Sequence, residues 1–541
     1  MRFSYQQKRE WSAAAQRSVL MAPRGMCASS QPLATYSGLK MLQRGGNAVD
    51  AAVAMVATLS VVEPYSVGIG GDCFALIYLA AQNKVVGLNS SGRAPAAANR
   101  EWFAAQGLGA MPSEGILPVT VPGALMGWAQ AVERYGRLGL ADVFEDAIYY
   151  ASRGFPVSEM IAGEWREKEK LLAATPSAAA TYLIDGRAPR PGKVFRNPDL
   201  AAAYEQIVER GIGAFYGGEL GERIAKYAGE SGGLLALEDL AAHQADWVEP
   251  IGLDYRGWQV VELPPNGQGL VALEILNILA GYDLAKMERN GPEHLHLLTE
   301  AIKIAFADRD YYLTDPTFYD VPVKELLSAD YGRRCRERID PVRAMAPPSP
   351  GLGPRGSDTV YVAAGDQEGN SVSFISSIYM LFGSGMVVPG TGILLQNRGH
   401  SFSLDPAHPN CIAPKKRTRH TIIPGMLMKD GRFIMSFGVM GGDMQPQGHA
   451  QFISNLVDFG LNLQEAVDAP RLRRMQGKVV YLEDGIPEAT ARRLKEMGHE
   501  MDPTPTPFNK VGGGQAVYRD QEQGVWLGAS DRRKDGCAIG Y

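Results

Sequence analysis

Sulfur and histidine are scarce in this chain. Five cysteines (Cys27, Cys73, Cys335, Cys411 and Cys537) and eight histidines are spread over 541 residues. No two cysteines stand as CxxC, which argues against a zinc site and against a disulfide framework. The thiols therefore read as buried or incidental. No stretch holds about 18 apolar residues in a row, so no transmembrane helix is expected. The first residues, MRFSYQQKREWSAAAQRSVLMAPRGM, contain basic residues but no apolar core of a secretory leader, and the expected location is the cytoplasm. Neither sign of charge dominates: 54 Lys and Arg face 59 Asp and Glu, a net charge of -5. That balance leaves no electrostatic footprint for nucleic acid or an anionic membrane. No internal repeat at a period of 20–50 residues is visible.

What the chain has is apolar mass. A hydrophobic fraction of 45% over 541 residues suffices for a large core. Residues 47–62 are Ala-rich and almost continuously apolar, with Asn47 placed to cap them, and read as a buried helix. A glycine cluster, Gly68-Ile69-Gly70-Gly71, leads through Asp72 into the apolar run 73–79. With 84–88 it reads as two strands joined by a turn. The middle, about 120–340, is mostly helical in pattern, as 293–307 illustrate. Residues 346–356 are too rich in proline and glycine for a helix or a central strand. Then β-prone runs begin, 359–364 and 371–377, flanking the turn sequence Asp366–Asn370. Residues 391–396 and 432–440 read as further strands, and 448–459 and 463–468 as helices.

Three features bear on chemistry. Asp358-Thr359 closes the breaker-rich stretch. A threonine hydroxyl needs an adjacent base, and a free α-amine on the same residue can serve if the chain is cut before it. With a reference pKa of about 7.7–8.0, such an amine suits general-base work. On composition alone the stretch reads first as a domain linker, and Thr359 as an ordinary strand threonine. Gly441-Gly442 lies between an expected strand and helix, where backbone N–H groups can face a developing oxyanion; a plain turn is the alternative. Arg93 can grip a substrate carboxylate in a bidentate fork, or merely form a surface salt bridge.

Taken together, the motifs resemble the gamma-glutamyltransferase family of N-terminal-nucleophile hydrolases over nearly the whole chain. The marks run in order: Gly45–Ala52, Gly68–Gly71, Arg93-Ala94-Pro95, Val121-Pro122-Gly123, Asp358-Thr359, Gly369-Asn370, Phe382–Gly385, Val388–Leu395, Gly441-Gly442, Asp458-Phe459-Gly460 and Glu465–Arg471. The resemblance implies an α/β (α+β) fold, a four-layer αββα sandwich. It also implies a proenzyme cut between Asp358 and Thr359 into fragments of 358 and 183 residues, together one sandwich unit. Thr359 is then the nucleophile, Gly441 and Gly442 hold the oxyanion, and Arg93 holds the substrate carboxylate. No metal or cofactor is implied. Besides the two fragments, the expected partner is a small anionic amide; a dimer of heterodimers is one assembly this allows. Many members of the family are secreted, which contrasts with the cytoplasmic expectation.

The departures from the family pattern are specific. The usual Thr-Thr-His at the cut is Thr359-Val360-Tyr361. The second hydroxyl, which hydrogen-bonds the nucleophile, falls on Ser377, and a neighbouring substrate-contacting asparagine becomes Tyr379. The usual Asn-Gln-Met-Asp-Asp-Phe is Asn397-Arg398-Gly399-His400-Ser401-Phe402. The aspartate that pairs with a substrate α-ammonium thus falls on Ser401, and the preceding glutamine on Arg398. A serine pair at the carboxylate becomes His420-Thr421, and Asp72 replaces a glycine. The short link 403–411 leaves no room for a pocket-covering lid loop. An ammonium facing a carboxylate at ~4 Å gains about 4 kcal/mol at an effective dielectric of ~20. Losing that partner disfavours any substrate bearing an α-ammonium. Amides of the oxamate or glutaryl type fit better, and members of the family hydrolyse oxamate or deacylate cephalosporins.

The expected function is therefore an amidohydrolase acting through an acyl-threonine. A true gamma-glutamyltransferase or glutathione hydrolase is the first alternative, disfavoured by Ser401 and Arg398. A non-catalytic homologue is the second, disfavoured by retention of Thr359, Ser377, Gly441 and Gly442.

Overall fold

The computed structural model describes residues 17–346, 359–504 and 510–541. Asp358 and residues 347–356 of the breaker-rich stretch lie outside these described residues. Two seven-stranded antiparallel sheets form the centre. One runs Leu20–Ala22, Val525–Ser530, Gly514–Asp520, Arg432–Val439, Gly425–Lys429, Trp258–Glu262, Ile251–Tyr255. The other runs Cys537–Gly540, Met26–Ser29, Val360–Gly365, Ser371–Ser377, Asp72–Leu79, Lys84–Ser90, Asp246–Val248.

Side-chain alternation assigns the layers. Along Asp72–Leu79, Phe74, Leu76 and Tyr78 pack with Tyr361, Ile375, Met426, Val517 and Trp526, between the sheets. Cys73, Ala75 and Ile77 point the other way, into a cluster with helix Ala48–Val62. Beyond the other sheet, Val260, Met435 and Phe437 pack against helices Gly269–Leu279, Pro292–Tyr312 and Met444–Val457. The order is helix, sheet, sheet, helix: the expected αββα sandwich. Strands covered on both faces are apolar throughout, which is why 73–79 reads as a continuous run.

All fifteen residues of Ala48–Val62 are buried, and Asn47 accepts from the N–H groups of Val49 and Asp50 in a full capping box. Each sheet combines strands from both sides of residue 359: Val360–Gly365 sits between Met26–Ser29 and Ser371–Ser377, which in turn pairs with Asp72–Leu79. Several expectations need correction. The middle is mostly helical, as expected, but it also holds strands at 246–248, 251–255 and 258–262, which the sequence reading did not name. Within 391–396 only Ile393–Leu394 is a strand, paired with Val387–Val388. The helix expected at 448–459 is Met444–Val457, which brings its N-terminus next to Gly442. Among the described residues no helix is long and apolar enough to cross a membrane, and all five cysteines are free.

Candidate active site

Sheet register builds the site. Val360 pairs with Ser376, which places Thr359 beside Ser377, and Ser377 pairs with Asp72. Residues directly opposite on neighbouring strands share a face. Thr359, Ser377 and Asp72 thus follow Tyr361, Ile375 and Phe74 onto the face between the sheets. Thr359 is 1% exposed. Its Oγ1 donates to Ser377 Oγ at 3.3 Å and accepts from Gln445 Nε2 at 3.4 Å. The backbone approaches closely here: a Cβ on Gly71 would meet the Ser377 carbonyl oxygen at 2.4 Å, which accounts for the glycine cluster.

Gly441 and Gly442 have φ of +115° and +60°, a turn that suits glycine. Their carbonyls accept from Met444 N and Gln445 N as helix Met444–Val457 begins. Gln268 Nε2 donates to the carbonyls of both Gly442 and Thr421, at 3.0 and 2.6 Å. Backbone N–H groups at such a turn, at the positive end of a helix dipole, suit an oxyanion. The Gln445 that touches Thr359 belongs to the first turn of this helix, so one element links the glycine pair to the hydroxyl.

Tyr379 has φ of +80°, a strained backbone for a residue of this size. Its N–H donates to Ser377 Oγ at 2.8 Å and its ring lies 4.1 Å from the Arg398 guanidinium carbon. Arg398 and Ser401 bound one short 3-10 turn. Arg398 is fully buried; its Nη1 donates to Thr421 Oγ1 at 2.8 Å and its Nε lies 3.7 Å from Asp72 Oδ2. His420 Nε2 faces the same Asp72 oxygen at 3.0 Å. Asp72 Oδ1 accepts from Gly92 N at 2.7 Å and Gln396 Nε2 at 3.0 Å. Three departures from the family pattern, Asp72, Arg398 and His420, are thus one buried network. The cation gained at Arg398 arrives with its own counterion.

The charges follow from burial and pairing. Burial would raise the Asp72 carboxyl, but the His420 hydrogen bond and the neighbouring positive charges hold it below its ordinary value. Burial lowers Arg398 to about 10, against the pull of Asp72. Burial and then the Arg398 charge lower His420 to about 4. Neutral His420 donates from Nε2 to Asp72 and accepts the Ile422 N–H at Nδ1, 3.3 Å away.

Tyr379, Ser401 and Thr421 line a cavity of about 860 Å³, together with Asp310, Arg419 and Asp443. The link 403–411 forms part of its wall. Arg93 lies apart from that lining: its guanidinium faces Asp246 at 3.4 Å and Asp315 at 3.6 Å.

Sequence reasoning missed Gln445 and Gln268. A lone glutamine at the start of a helix carries no signal, although Gln268 follows the breaker-rich Pro264-Pro265-Asn266-Gly267. It also named no metal ligands, yet the structure gathers His296, Glu300 and His499. Lys303 Nζ sits 2.6 Å from Glu300 Oε1, so this cluster already contains its cation. It ties down the chain before residue 346: Glu300 accepts Met345 N–H, and His296 faces the Asp340 carbonyl.

Burial of histidine gives a pH dependence. His243, His294 and His420 are each lowered to about 4, chiefly by burial. Unfolded, each takes up a proton near pH 6.5. Stability is therefore full above pH 6.5 and is lost as pH falls toward 4, at about 3 kcal/mol per histidine. Urea midpoints at pH 7.5, 6 and 4.5 should fall in that order; a flat series would refute the assignment.

The gamma-glutamyltranspeptidase family model matches residues 34–541. The glutathione hydrolase-like YwrD proenzyme of Bacillus subtilis (strain 168) is 40% identical over 95% of this chain and 98% of that protein. The oxamate amidohydrolase proenzyme of Klebsiella pneumoniae is 38% identical over 96% and 98%. A cephalosporin acylase from Bacillus halodurans superimposes with a TM-score of 0.92 at 44% identity, covering all of this chain and 99% of the acylase. Sandwich, motif order and full-length similarity agree: the chain belongs to the gamma-glutamyltranspeptidase family and is an enzyme of that family.

Proposed function

We propose that the chain is a self-processing amidohydrolase whose substrate carries a carboxylate on its acyl group and no α-ammonium. A cut between Asp358 and Thr359 frees the Thr359 α-amine. That amine takes the hydroxyl proton as Oγ1 attacks the amide carbon. The oxyanion forms against the Gly441 and Gly442 N–H groups. The amine product leaves with a proton, and water releases the acyl group from Thr359.

One observation carries the substrate reading. Ser401, which by the resemblance takes the position of the family's ammonium-binding carboxylate, lines the cavity and belongs to the same turn as buried Arg398. Arg93 is the residue that the resemblance assigns to the acyl carboxylate, which it would share with Asp246 and Asp315. Between the two acyl types, the cavity volume favours the glutaryl type over oxamate, since about 300–1,000 Å³ is typical for drug-sized ligands. Its lining at Asp310, His408 and Arg419 suits a bulky, polar amine portion.

Comparing glutaryl and γ-glutamyl p-nitroanilide tests this. The glutaryl compound should have the higher kcat/KM by ~10²–10³-fold, the rate equivalent of about 3–4 kcal/mol. Preference for the γ-glutamyl compound would overturn the reading. Arg93→Ala should raise KM for the glutaryl compound ~10-fold or more through loss of a charge-assisted contact; an unchanged KM removes Arg93 from substrate binding.

A further inference from the structure

The Arg398 guanidinium is held on three sides. The Tyr379 ring covers its face, Asp72 stands at Nε, and Thr421 accepts from Nη1. Nε and Nη2 both lack a hydrogen-bond partner among the described residues, although the side chain is fully buried; Asp72 Oδ2 faces Nε as an ion pair at 3.7 Å, and nothing faces Nη2 in that way. Stacking does not satisfy it, because a guanidinium on an aromatic face keeps its in-plane N–H groups for acceptors. The Ser401 hydroxyl, from the same turn and on the cavity wall, is also buried without a hydrogen-bond partner among the described residues. Buried polar groups left unmatched in this way call for an explanation such as a ligand.

We propose that Asp72 is a positioning residue which, with Thr421 and Tyr379, aims Nη2 of Arg398 at one oxygen of the acyl carboxylate, making Arg398 a second anchor beside Arg93. The inference rests on the reading of the acyl group given above. Asp72 is itself rigid. It lies in register with Ser377, and Gly92, Gln396 and His420 hold its two oxygens. It faces Arg398 at Nε, the root of the guanidinium plane, so it fixes where the far edge points. Tyr379 closes the rotation about that plane. Because its N–H also binds Ser377 Oγ, the anchor and the nucleophile's hydroxyl partner share one backbone segment.

The test is steady-state kinetics of the processed enzyme on glutaryl, pentanoyl and γ-glutamyl p-nitroanilide. Self-cleavage into two bands serves as the check on folding. Arg398→Gln should raise KM for the glutaryl compound ~30-fold or more, as expected for a lost charge-assisted hydrogen bond. The pentanoyl compound, which lacks the carboxylate, should change less than about threefold on the same principle. Asp72→Asn should raise the glutaryl KM ~10-fold with kcat within about threefold, and Asp72→Asn with Arg398→Gln should be no worse than Arg398→Gln alone, since Asp72 acts through Arg398. Effects that multiply, or a glutaryl KM untouched by Arg398→Gln, overturn the inference. If Asp72→Asn does not self-cleave, Thr421→Val decides: its KM effect must likewise vanish in the Arg398→Gln background. Wild-type preference for the γ-glutamyl compound is a separate result, which removes the reading of the acyl group itself.

Discussion

Thr359→Ala should leave the chain as one band at 58.5 kDa on a denaturing gel and abolish amide turnover, where the unaltered protein is expected to give fragments of 358 and 183 residues. The expectation rests on placement. Thr359 immediately precedes a central strand, its side chain lies between the sheets, and its hydroxyl is within hydrogen-bonding reach of Ser377 and Gln445. Ser377 cannot substitute, because it is internal to the chain and never gains an α-amine. Loss of a nucleophile that works as a unit with its base costs ~10⁴-fold or more. Thr359→Ser, which keeps the hydroxyl and the amine, should still process and turn over. Two fragments from Thr359→Ala, with activity, would remove Thr359 from both roles.

The largest effect on stability is expected at Asp72. Asp72→Gly restores the residue common in the family but strands Arg398 as a buried, unpaired cation. Breaking one side of a buried pair costs about 3–5 kcal/mol, a large share of a typical total of about 5–15 kcal/mol. Glycine within a strand adds about 0.5–1 kcal/mol. The urea midpoint should therefore fall steeply. Asp72→Gly combined with Arg398→Gln and His420→Ser removes the stranded charge and should recover most of the loss. A triple variant less stable than Asp72→Gly alone would show that the three residues are independent.

Legibility from the amino-acid order varied with the range of the interactions involved. Helix Ala48–Val62 was readable because its cap, composition and length are local properties, and Asn47 caps it as expected. Strands Asp72–Leu79 and Lys84–Ser90 were readable because their partner is the next strand. Strands Ile251–Tyr255 and Trp258–Glu262 were missed. They are short, lie among helices, and the latter pairs with Gly425–Lys429 far along the chain. The site divides in the same way. Thr359, Ser377, Gly441 and Gly442 are candidates read from motifs, and the structure places Thr359 against Ser377. Gln445 and Gln268 act through single side-chain bonds that no spacing rule announces.

The chain order by itself determined the layered α/β class, the buried helix, the family, and Thr359 as the candidate nucleophile. These rest on local propensity and on motifs that keep their meaning along the chain. It also showed Asp72, Arg398 and His420 as three separate oddities. Only the tertiary structure decided that they are one network. Register sets Asp72 beside Ser377, the turn Arg398–Ser401 folds over it, and His420 arrives from a third segment. A buried charge is tolerable only with its partners in place, and partners distant in sequence meet only when the sheets are paired and packed.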